Sequence, residues 1–474
     1  MSHHHFFHPN LLTLPLLLLL ASPLLAQWEP DVRLTQDGSW SYTSYNNARC
    51  IGAGPGGVLH VVWYDGRNGG TCEIYHKRST DGGTTWSGDS RLTTDPAQSD
   101  YPALAVQDSN LYVAWFDGRN GGWSVYTKRS TDYGATWGPD VLQSYNGGAN
   151  SWFPSVCASG PNVVVAWEDN RDGGNDQLYY AHSTDYGATW APEARLTFTP
   201  SFSPSLAASG PYVHLVWEDT RTGYDLWYKR STDGGATWGP DTRLSNPPNN
   251  SAYPSVSASG PNVHVAFHDS RTGNLEIFYQ RSTDYGFSWE PDLQLTSAAG
   301  TSSFPSIADS GSNVHVIWME ERDGNREVYY KRSTDLGLTW GSDVRLTTDP
   351  AVSFPPSIAL SDTMVHVVWA DTRDGNLEIY YKRDPTGNAP SGVAEVRNAE
   401  FGMRNAELRI TPNPYVSFAR VPGHEAERFS LYDISGRKVG TYPGDRIGEG
   451  LSPGVYFLRQ EEGSGAPVRV VKIR

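Results

Sequence analysis

The chain repeats one short stretch, which in its sixth copy reads Lys331-Arg332-Ser333-Thr334-Asp335-Leu336-Gly337-Leu338-Thr339-Trp340. The octet Ser-Thr-Asp-x-Gly-x-Thr-Trp occurs six times with small variations, and its aspartates are Asp81, Asp132, Asp185, Asp233, Asp284 and Asp335. Successive aspartates are 51, 53, 48, 51 and 51 residues apart. A fixed period near fifty residues, filled with strand-like sequence, predicts a propeller or a solenoid.

The residue types of the octet favour a tight turn. Asp, Ser and Thr accept hydrogen bonds from nearby backbone N–H groups, Gly supplies a positive φ, and Trp covers the apolar side of the turn. The octet resembles the Asp box, or BNR repeat, of sialidase-like propellers; residues 79–86 match it fully, and the copy at Asp284 differs in Ser288. Asp boxes occur in enzymes and in non-enzymes, so the resemblance implies the fold and not an activity. We therefore predict a structural role for the six box aspartates.

Each repeat contains more than its box. Three strand-like segments precede a box and a short one follows it, as in residues 344–347, 354–359, 365–373 and 378–383. The segment ending in Trp-x-Asp-x-Arg occurs seven times, with variations, and the seventh repeat lacks a box tryptophan and a fourth strand. Residues 28–35 match the fourth strand that follows the box at Trp238. The sequence therefore predicts an all-β, seven-bladed propeller over residues 27–384 that the N-terminal strand closes, which removes exposed sheet edges.

The ends of the chain and its composition limit the function. Residues 11–26 form an apolar run that predicts a signal peptide over residues 1–26, too short for a comfortable membrane span. A net charge of -15 argues against nucleic acid as a partner. Only Cys50, Cys72 and Cys157 are present, and we expect no disulfide within the first blade. We expect a secreted or surface-exposed monomer without a transmembrane segment, a cofactor or a metal.

The last part of the chain differs from the repeats. Residues 385–407 read as a linker, and residues 408–474 alternate as the strands of a small β-sandwich. The motifs Pro412-Asn413-Pro414, Tyr432-Asp433-Ile434-Ser435-Gly436-Arg437 and Leu451-Ser452-Pro453-Gly454-Val455-Tyr456-Phe457 resemble the C-terminal sorting domain of type IX secretion cargo. This resemblance implies export across both membranes, with the type IX export machinery as a partner.

The sequence departs from the catalytic pattern of sialidases. The family resemblance implies an arginine triad, a Tyr nucleophile assisted by Glu, and an Asp acid/base, with the first arginine in Arg-Ile-Pro. This chain contains no Arg-Ile-Pro, and Arg49 is the best stand-in because it is the single arginine in a first strand. The pairs of the Trp-x-Asp-x-Arg segments, such as Asp169 and Arg171, recur in every blade, whereas catalytic sites break symmetry. We interpret them as turn-stabilising pairs.

Aromatic residues break the symmetry on the face opposite the boxes. Aromatic rings on a rim suit sugar rings or peptides. The predicted ligand-binding residues are Trp40, Tyr42, Tyr45, Trp123, Tyr145, Trp152 and Tyr224. We expect a module that binds a glycan or an extracellular protein. The alternatives are an exo-acting glycoside hydrolase, similar to an exo-alpha-sialidase with a diverged site, and a structural surface protein.

Overall fold

The structure is a computed structural model. It describes residues 28–44, 49–145, 147–245, 250–388, 428–433, 437–443, 446–447, 454–460 and 468–472. The predicted signal peptide, Tyr45 and most of the predicted linker lie outside these residues. The chain divides into two compact units, Met1–Ala394 and Glu395–Arg474. Within the described ranges, no helix has the length and apolar character needed to cross a membrane.

Seven antiparallel sheets form the described part of the first unit, which confirms the seven-bladed propeller. Blade 1 contains β2 (Ser41–Tyr42), β3 (Ile51–Ala53), β4 (Leu59–Asp65), β5 (Glu73–Ser79) and β6 (Ser90–Arg91), with a 3-10 turn at Pro55–Gly57. Blade 2 contains β7 (Ser99–Gln107), β8 (Asn110–Asp117), β9 (Ser124–Ser130) and β10 (Val141–Leu142). Blade 3 contains β11 (Ser151–Ser159), β12 (Asn162–Asp169), β13 (Gln177–Ser183) and β14 (Ala194–Arg195).

The remaining blades repeat this order. Blade 4 contains β15 (Ser201–Ser209), β16 (Tyr212–Asp219), β17 (Asp225–Ser231) and β18 (Thr242–Arg243). Blade 5 contains β19 (Ser251–Ser259), β20 (Asn262–Asp269), β21 (Glu276–Ser282) and β22 (Leu293–Gln294). Blade 6 contains β23 (Ser302–Ser310), β24 (Asn313–Glu320), β25 (Glu327–Ser333) and β26 (Val344–Arg345). Blade 7 contains β27 (Ser357–Ser361), β28 (Met364–Asp371), β29 (Glu378–Asp384) and the N-terminal strand β1 (Val32–Arg33).

The N-terminal strand closes the ring, as the sequence predicts. Strand β1 pairs antiparallel with β29, and Val32 lies opposite Tyr381. Trp28 takes the place of the missing box tryptophan, since its ring lies 5.1 Å from that of Tyr330 in an edge-to-face contact. The box residue Trp340 makes the same contact with Tyr279 at 4.9 Å. The first segment of the chain therefore completes the last blade.

The core lies between neighbouring blades. The second strand of each blade is buried on both faces; all seven residues of β4 and all eight of β24 are buried. Such strands read as continuous apolar runs because blades cover both of their faces. The fully buried tryptophans of these strands are Trp63, Trp115, Trp167, Trp217, Trp318 and Trp369. All three cysteines are free and buried, as the sequence predicts.

Each Asp box closes its turn by its own hydrogen bonds. In the sixth box, the Ser333 hydroxyl donates to Asp335 Oδ1 at 2.7 Å and the Thr339 N–H donates to the same oxygen at 2.9 Å. Gly337 has φ +81°, and a Cβ there would lie 1.9 Å from the Tyr279 hydroxyl oxygen. The turn therefore needs glycine both for its backbone conformation and for its contact with the preceding blade.

The described strands of the second unit form one antiparallel sheet. They are β30 (Arg428–Asp433), β31 (Lys438–Pro443), β32 (Gly454–Gln460) and β33 (Val468–Lys472), in the spatial order β31-β30-β32-β33. Much of residues 389–474 lies outside the described part, so the predicted sorting domain and its sandwich stay predictions.

Candidate functional site

The long first strand of five blades carries a bulge near its start. The register shifts there in β7, β11, β15, β19 and β23. The residue at each bulge has φ between +49° and +52°, and these residues are Tyr101, Phe153, Ser203, Tyr253 and Phe304. A positive φ in a residue with a side chain costs about 1–3 kcal/mol and is concentrated at functional sites. Bulges also redirect side chains next to such sites.

The neighbouring blade supplies an acceptor for three of these bulges. The Ser203 N–H donates to Glu168 Oε1 at 2.7 Å, and the Tyr253 N–H donates to Glu218 Oε1 at 2.7 Å. In the next blade the Phe304 N–H donates to His268 Nδ1 at 3.3 Å. All three acceptors stand one residue before the acid that ends the second strand. The other blades have Tyr64, Phe116, Met319 and Ala370 at this position.

The bulges surround a pocket of about 500 Å³. Its lining residues come from blades 2 to 6 and are Tyr101, Phe153, Glu168, Phe202, Ser203, Glu218, Tyr224, Tyr253 and Phe304. The rings of Tyr253 and Phe304 lie 4.6 Å apart, and those of Tyr101 and Phe153 lie 5.1 Å apart. The first strands begin at the edge where the second strands end, opposite the box turns. The pocket therefore opens on the face that does not carry the Asp boxes.

Two carboxyl groups lie in the pocket wall. Burial raises the pKa of Glu168 to about 8, and the acids Asp176 and Glu218 raise it further. The hydrogen bond from the Ser203 N–H lowers this pKa and so offsets part of the shift. The Trp152 indole N–H also donates to Glu168 Oε2 at 3.1 Å. Burial likewise raises the pKa of Glu218, although the hydrogen bond from the Tyr253 N–H lowers it in part. Both carboxyls therefore keep a proton up to a higher pH than a carboxyl in water does.

The predicted aromatic residues do not converge on one place. Tyr224 lines the pocket and is 49% exposed, and Trp152 supports it through Glu168. Tyr145 is 80% exposed and is not among the lining residues. Tyr42 is buried, with its ring 5.1 Å from that of Phe354. Tyr45 lies outside the described residues.

The other two predicted aromatics pack on the blades that carry them. The Trp40 ring lies 5.7 Å from that of Tyr64, and the Trp123 ring lies 5.0 Å from that of Phe116. Both partners occupy the position that Glu168 has in blade 3. Trp40 and Trp123 thus cover the blade edge beside the pocket.

Sequence reasoning missed most of the pocket. The residues it did not select are Tyr101, Phe153, Glu168, Phe202, Ser203, Glu218, Tyr253 and Phe304. A signal was available, because an aromatic residue stands directly before proline in the first strands of blades 2, 3, 5 and 6. The position before the last acid of the second strand also varies between blades, while its neighbours repeat.

Arg49 lies in the central channel of the propeller. A cavity of about 210 Å³ there is lined by the first strands of the blades and includes Arg49, Cys157 and Asp309. Arg49 Nη2 donates to the Val256 carbonyl oxygen at 2.8 Å, so the guanidinium spans from blade 1 to blade 5. Burial raises the pKa of Asp309 to about 6, which the Ser257 hydroxyl and Arg49 oppose. Arg49 is not among the residues that line the aromatic pocket.

The repeated Asp/Arg pairs are engaged in their own blades. Arg171 Nη2 donates to Asp169 Oδ2 at 2.6 Å, and Nη1 donates to Glu193 Oε1 at 2.6 Å. Its guanidinium also lies 4.2 Å from the centre of the Tyr179 ring. In the part of the chain that the structure describes, no group of three or more His, Cys, Asp or Glu residues is placed to hold a metal ion.

Solved structures resemble this chain at low sequence identity. Polysaccharide lyase Uly1 matches with a TM-score of 0.54 and 8% identity, over 75% of this chain and 99% of that chain. Phage phi92 endosialidase matches with a TM-score of 0.47 and 10% identity, over 93% and 87% of the two chains. Trypanosoma rangeli sialidase in complex with the inhibitor DANA matches with a TM-score of 0.45 and 12% identity, over 75% of this chain. That alignment spans 60% of the sialidase's own length.

Comparison with sequences gives the family. A search of curated proteins found no match. The family model described as a BNR repeat-like domain matches residues 20–265, more than half of the chain. The matched region covers four of the six Asp boxes and the strands that hold most of the pocket. The chain therefore belongs to the BNR repeat-like domain family.

Proposed function

We propose that the propeller is a carbohydrate-binding module and that the aromatic pocket is its binding site. The observation that carries this proposal is a pocket of about 500 Å³ lined by six aromatic side chains. Small-molecule sites in proteins are clefts of roughly 300–1,000 Å³ with mostly apolar walls and a few placed polar groups. Aromatic faces suit the C–H faces of sugar rings, and the two carboxyl groups can hydrogen-bond sugar hydroxyls.

Five strained bulges support this proposal. The backbone strain at Tyr101, Phe153 and Tyr253 is not needed to build a blade, since blades 1 and 7 have no such residue in the described part of the chain. The bulges place large side chains at the pocket mouth instead. A protein-binding role fits less well, because the aromatic surface here is a concave pocket rather than a broad flat patch.

A glycan array with the full chain tests the proposal, with Tyr253→Ala as the pocket variant. Loss of one aromatic contact costs about 0.5–1.5 kcal/mol beyond the buried area, so we expect affinity to fall several-fold or more. The matched control is Phe287→Ala, because Phe287 is 64% exposed on a box turn and lies on the opposite face. Absence of any bound glycan would favour the structural surface protein instead.

A second candidate function is glycoside hydrolysis, which the two pocket carboxyls favour. Glycosidases pair a protonated carboxylic acid with an ionised one. Burial raises the pKa of Glu168 to about 8, and the nearby Glu218 raises it further. A panel of fluorogenic glycosides tests for turnover, and Glu168→Gln should abolish any that is found. We expect sialosides to stay at the buffer background, because the described lining residues include no arginine to hold a sialic acid carboxylate.

We also propose that the protein is exported by type IX secretion to the medium or the outer surface. The support is the three C-terminal sequence motifs and the N-terminal apolar run. In a host that carries this secretion system, a chain ending at residue 407 should stay in the periplasm, whereas the full chain should reach the outside. Export of the truncated chain would contradict the proposal.

A further inference from the structure

The described lining of the aromatic pocket is acidic and has no basic residue. None of its nine described lining residues is Lys, Arg or His, and two of them are glutamates. A sugar that carries a carboxylate or a sulfate needs a cationic partner, because burying an unpaired charge is costly. The lining offers acceptors and aromatic rings instead.

The nearest arginines by chain position are already occupied. Arg171 and Arg221 follow three residues after Glu168 and Glu218, at the ends of the same strands. Arg221 donates to Asp219 and Asp241, both at 2.7 Å, and its guanidinium lies 4.0 Å from the centre of the Trp227 ring. Arg171 has the equivalent partners in its own blade. Turning either arginine into the pocket would leave a buried carboxylate without its partner.

The arginine of the central channel is occupied too. Arg49 donates to the Val256 carbonyl and faces the carboxyl of Asp309. It lines the channel cavity and not the aromatic pocket. An acidic sugar in the pocket would therefore meet two carboxyl groups and, among the lining residues that the structure describes, no cation.

We propose that the aromatic pocket takes saccharides without acidic groups and rejects those that carry a carboxylate or a sulfate. This inference rests on the proposed carbohydrate-binding function. Two features fit such a ligand: the aromatic rings offer faces for uncharged pyranose rings, and Glu168 and Glu218 offer oxygen atoms for hydroxyl or amino groups. An acidic group in the pocket finds no cation in the described lining to offset the cost of leaving water, and any carboxyl of the wall that is ionised repels it.

The test compares matched glycans on the full chain. One pair is oligogalacturonate and its methyl ester, which share a backbone and differ in charge; a second is sialyllactose and lactose. Neutral and amino oligosaccharides of other linkages, and sulfated ones, complete the array. We expect each acidic member to bind at least about tenfold more weakly than its uncharged partner, which corresponds to about 1.4 kcal/mol.

Two variants separate the possible results. Glu218→Gln removes one carboxyl with little change in shape, so it should reduce the difference in affinity between acidic glycans and their uncharged partners. If this variant does not fold, the affinities of the glycan pairs for the parent chain decide between the outcomes. If acidic glycans bind as tightly as their uncharged partners and Tyr253→Ala weakens that binding, this inference is wrong but the proposed function remains supported. Absence of binding across the array, or binding that Tyr253→Ala leaves unchanged, would overturn both.

Discussion

Asp31 Oδ2 lies 2.7 Å from Arg373 Nη1, although 342 residues separate the two in sequence. Its other carboxylate oxygen lies 2.8 Å from Lys382 Nζ. In blade 6 the single residue Asp343 makes both contacts, with Arg322 at 2.8 Å and Lys331 at 2.9 Å. The N-terminal strand thus brings a fourth-strand acid to blade 7, which has none of its own.

The first prediction concerns this closure. A chain that begins after Thr35 loses β1, Trp28 and the Asp31 ion pairs, and it leaves β29 as an open edge. We expect unfolding to become easier by several kcal/mol, because the chain loses the partly buried Trp28 and the buried Leu34 together, and truncating a buried leucine alone costs about 2–5 kcal/mol. Thermal unfolding measures the effect, and a chain that begins at Gln27 is the control. Equal melting temperatures for the two chains would show that β1 is not part of the fold.

The fold was predictable because its signal is repeated. Six copies of the box set the period, and the match of residues 28–35 to a fourth strand revealed the closure. The aromatic pocket was harder to predict from the sequence than the fold, because its aromatic residues also repeat. Tyr101, Phe153 and Tyr253 stand at equivalent positions, so a search for residues that break symmetry passed over them. Their inward direction depends on a positive φ, which the sequence pattern does not reveal.

Sequence reasoning also selected a residue that does not line the pocket, for a related reason. Tyr42 breaks the symmetry of the sequence, but it fills space beside Phe354 where blade 1 meets blade 7. Glu168 and Glu218 lie inside apolar runs and look like part of the Trp-x-Asp segment. Only the distance from each carboxyl to the next bulge N–H distinguishes them from surface acids.

The second prediction is a loss of stability at mildly acidic pH. Burial lowers the pKa of His214, His264, His315 and His366 to about 3 and that of His60 to about 4. Four of them lie 2.6–2.8 Å from a buried tyrosine hydroxyl. Below pH 6.5 the unfolded chain takes up these protons and the folded chain does not. Stability should therefore fall as pH decreases, by about 1.4 kcal/mol per pH unit for each histidine.

Six described carboxyls act in the opposite direction over part of this range. Because burial raises their pKa, most of all for Glu168 and Asp309, the folded chain keeps protons there that the unfolded chain releases. The eight described histidines with a lowered pKa outnumber them, so the net effect remains a loss towards pH 5. Urea unfolding at a series of pH values measures the free energy of unfolding. His264→Gln should lower the slope of this free energy against pH by the contribution of one proton, about 1.4 kcal/mol per pH unit. A flat profile between pH 7 and pH 5 would contradict the buried, neutral state of these histidines.

The third prediction concerns the channel. Arg49→Met removes the cation that faces Asp309 and the bond to the Val256 carbonyl. The loss of the hydrogen bond to the buried Val256 carbonyl oxygen costs about 1–3 kcal/mol. The double variant Arg49→Met, Asp309→Asn should recover part of the lost stability, since it leaves no unpaired buried carboxylate. Equal stability of the single and double variants would show that Asp309 does not depend on Arg49. Glycan binding should survive in both, because the channel and the pocket have different walls.

The last prediction concerns the box aspartates. Asp284 Oδ1 accepts from the Ser288 N–H at 2.9 Å, and Oδ2 accepts from the Ser288 hydroxyl at 2.6 Å. Asp284→Ala leaves these donors without their acceptor, but Ser288 is exposed and water can replace part of the loss. We therefore expect a cost of about 1 kcal/mol, at the low end for lost hydrogen bonds. Asp284→Asn keeps a side-chain acceptor and should cost less. Glycan affinity should match that of the parent chain, because the box lies on the face away from the pocket; a large fall in affinity at unchanged melting temperature would place the ligand on the box face instead.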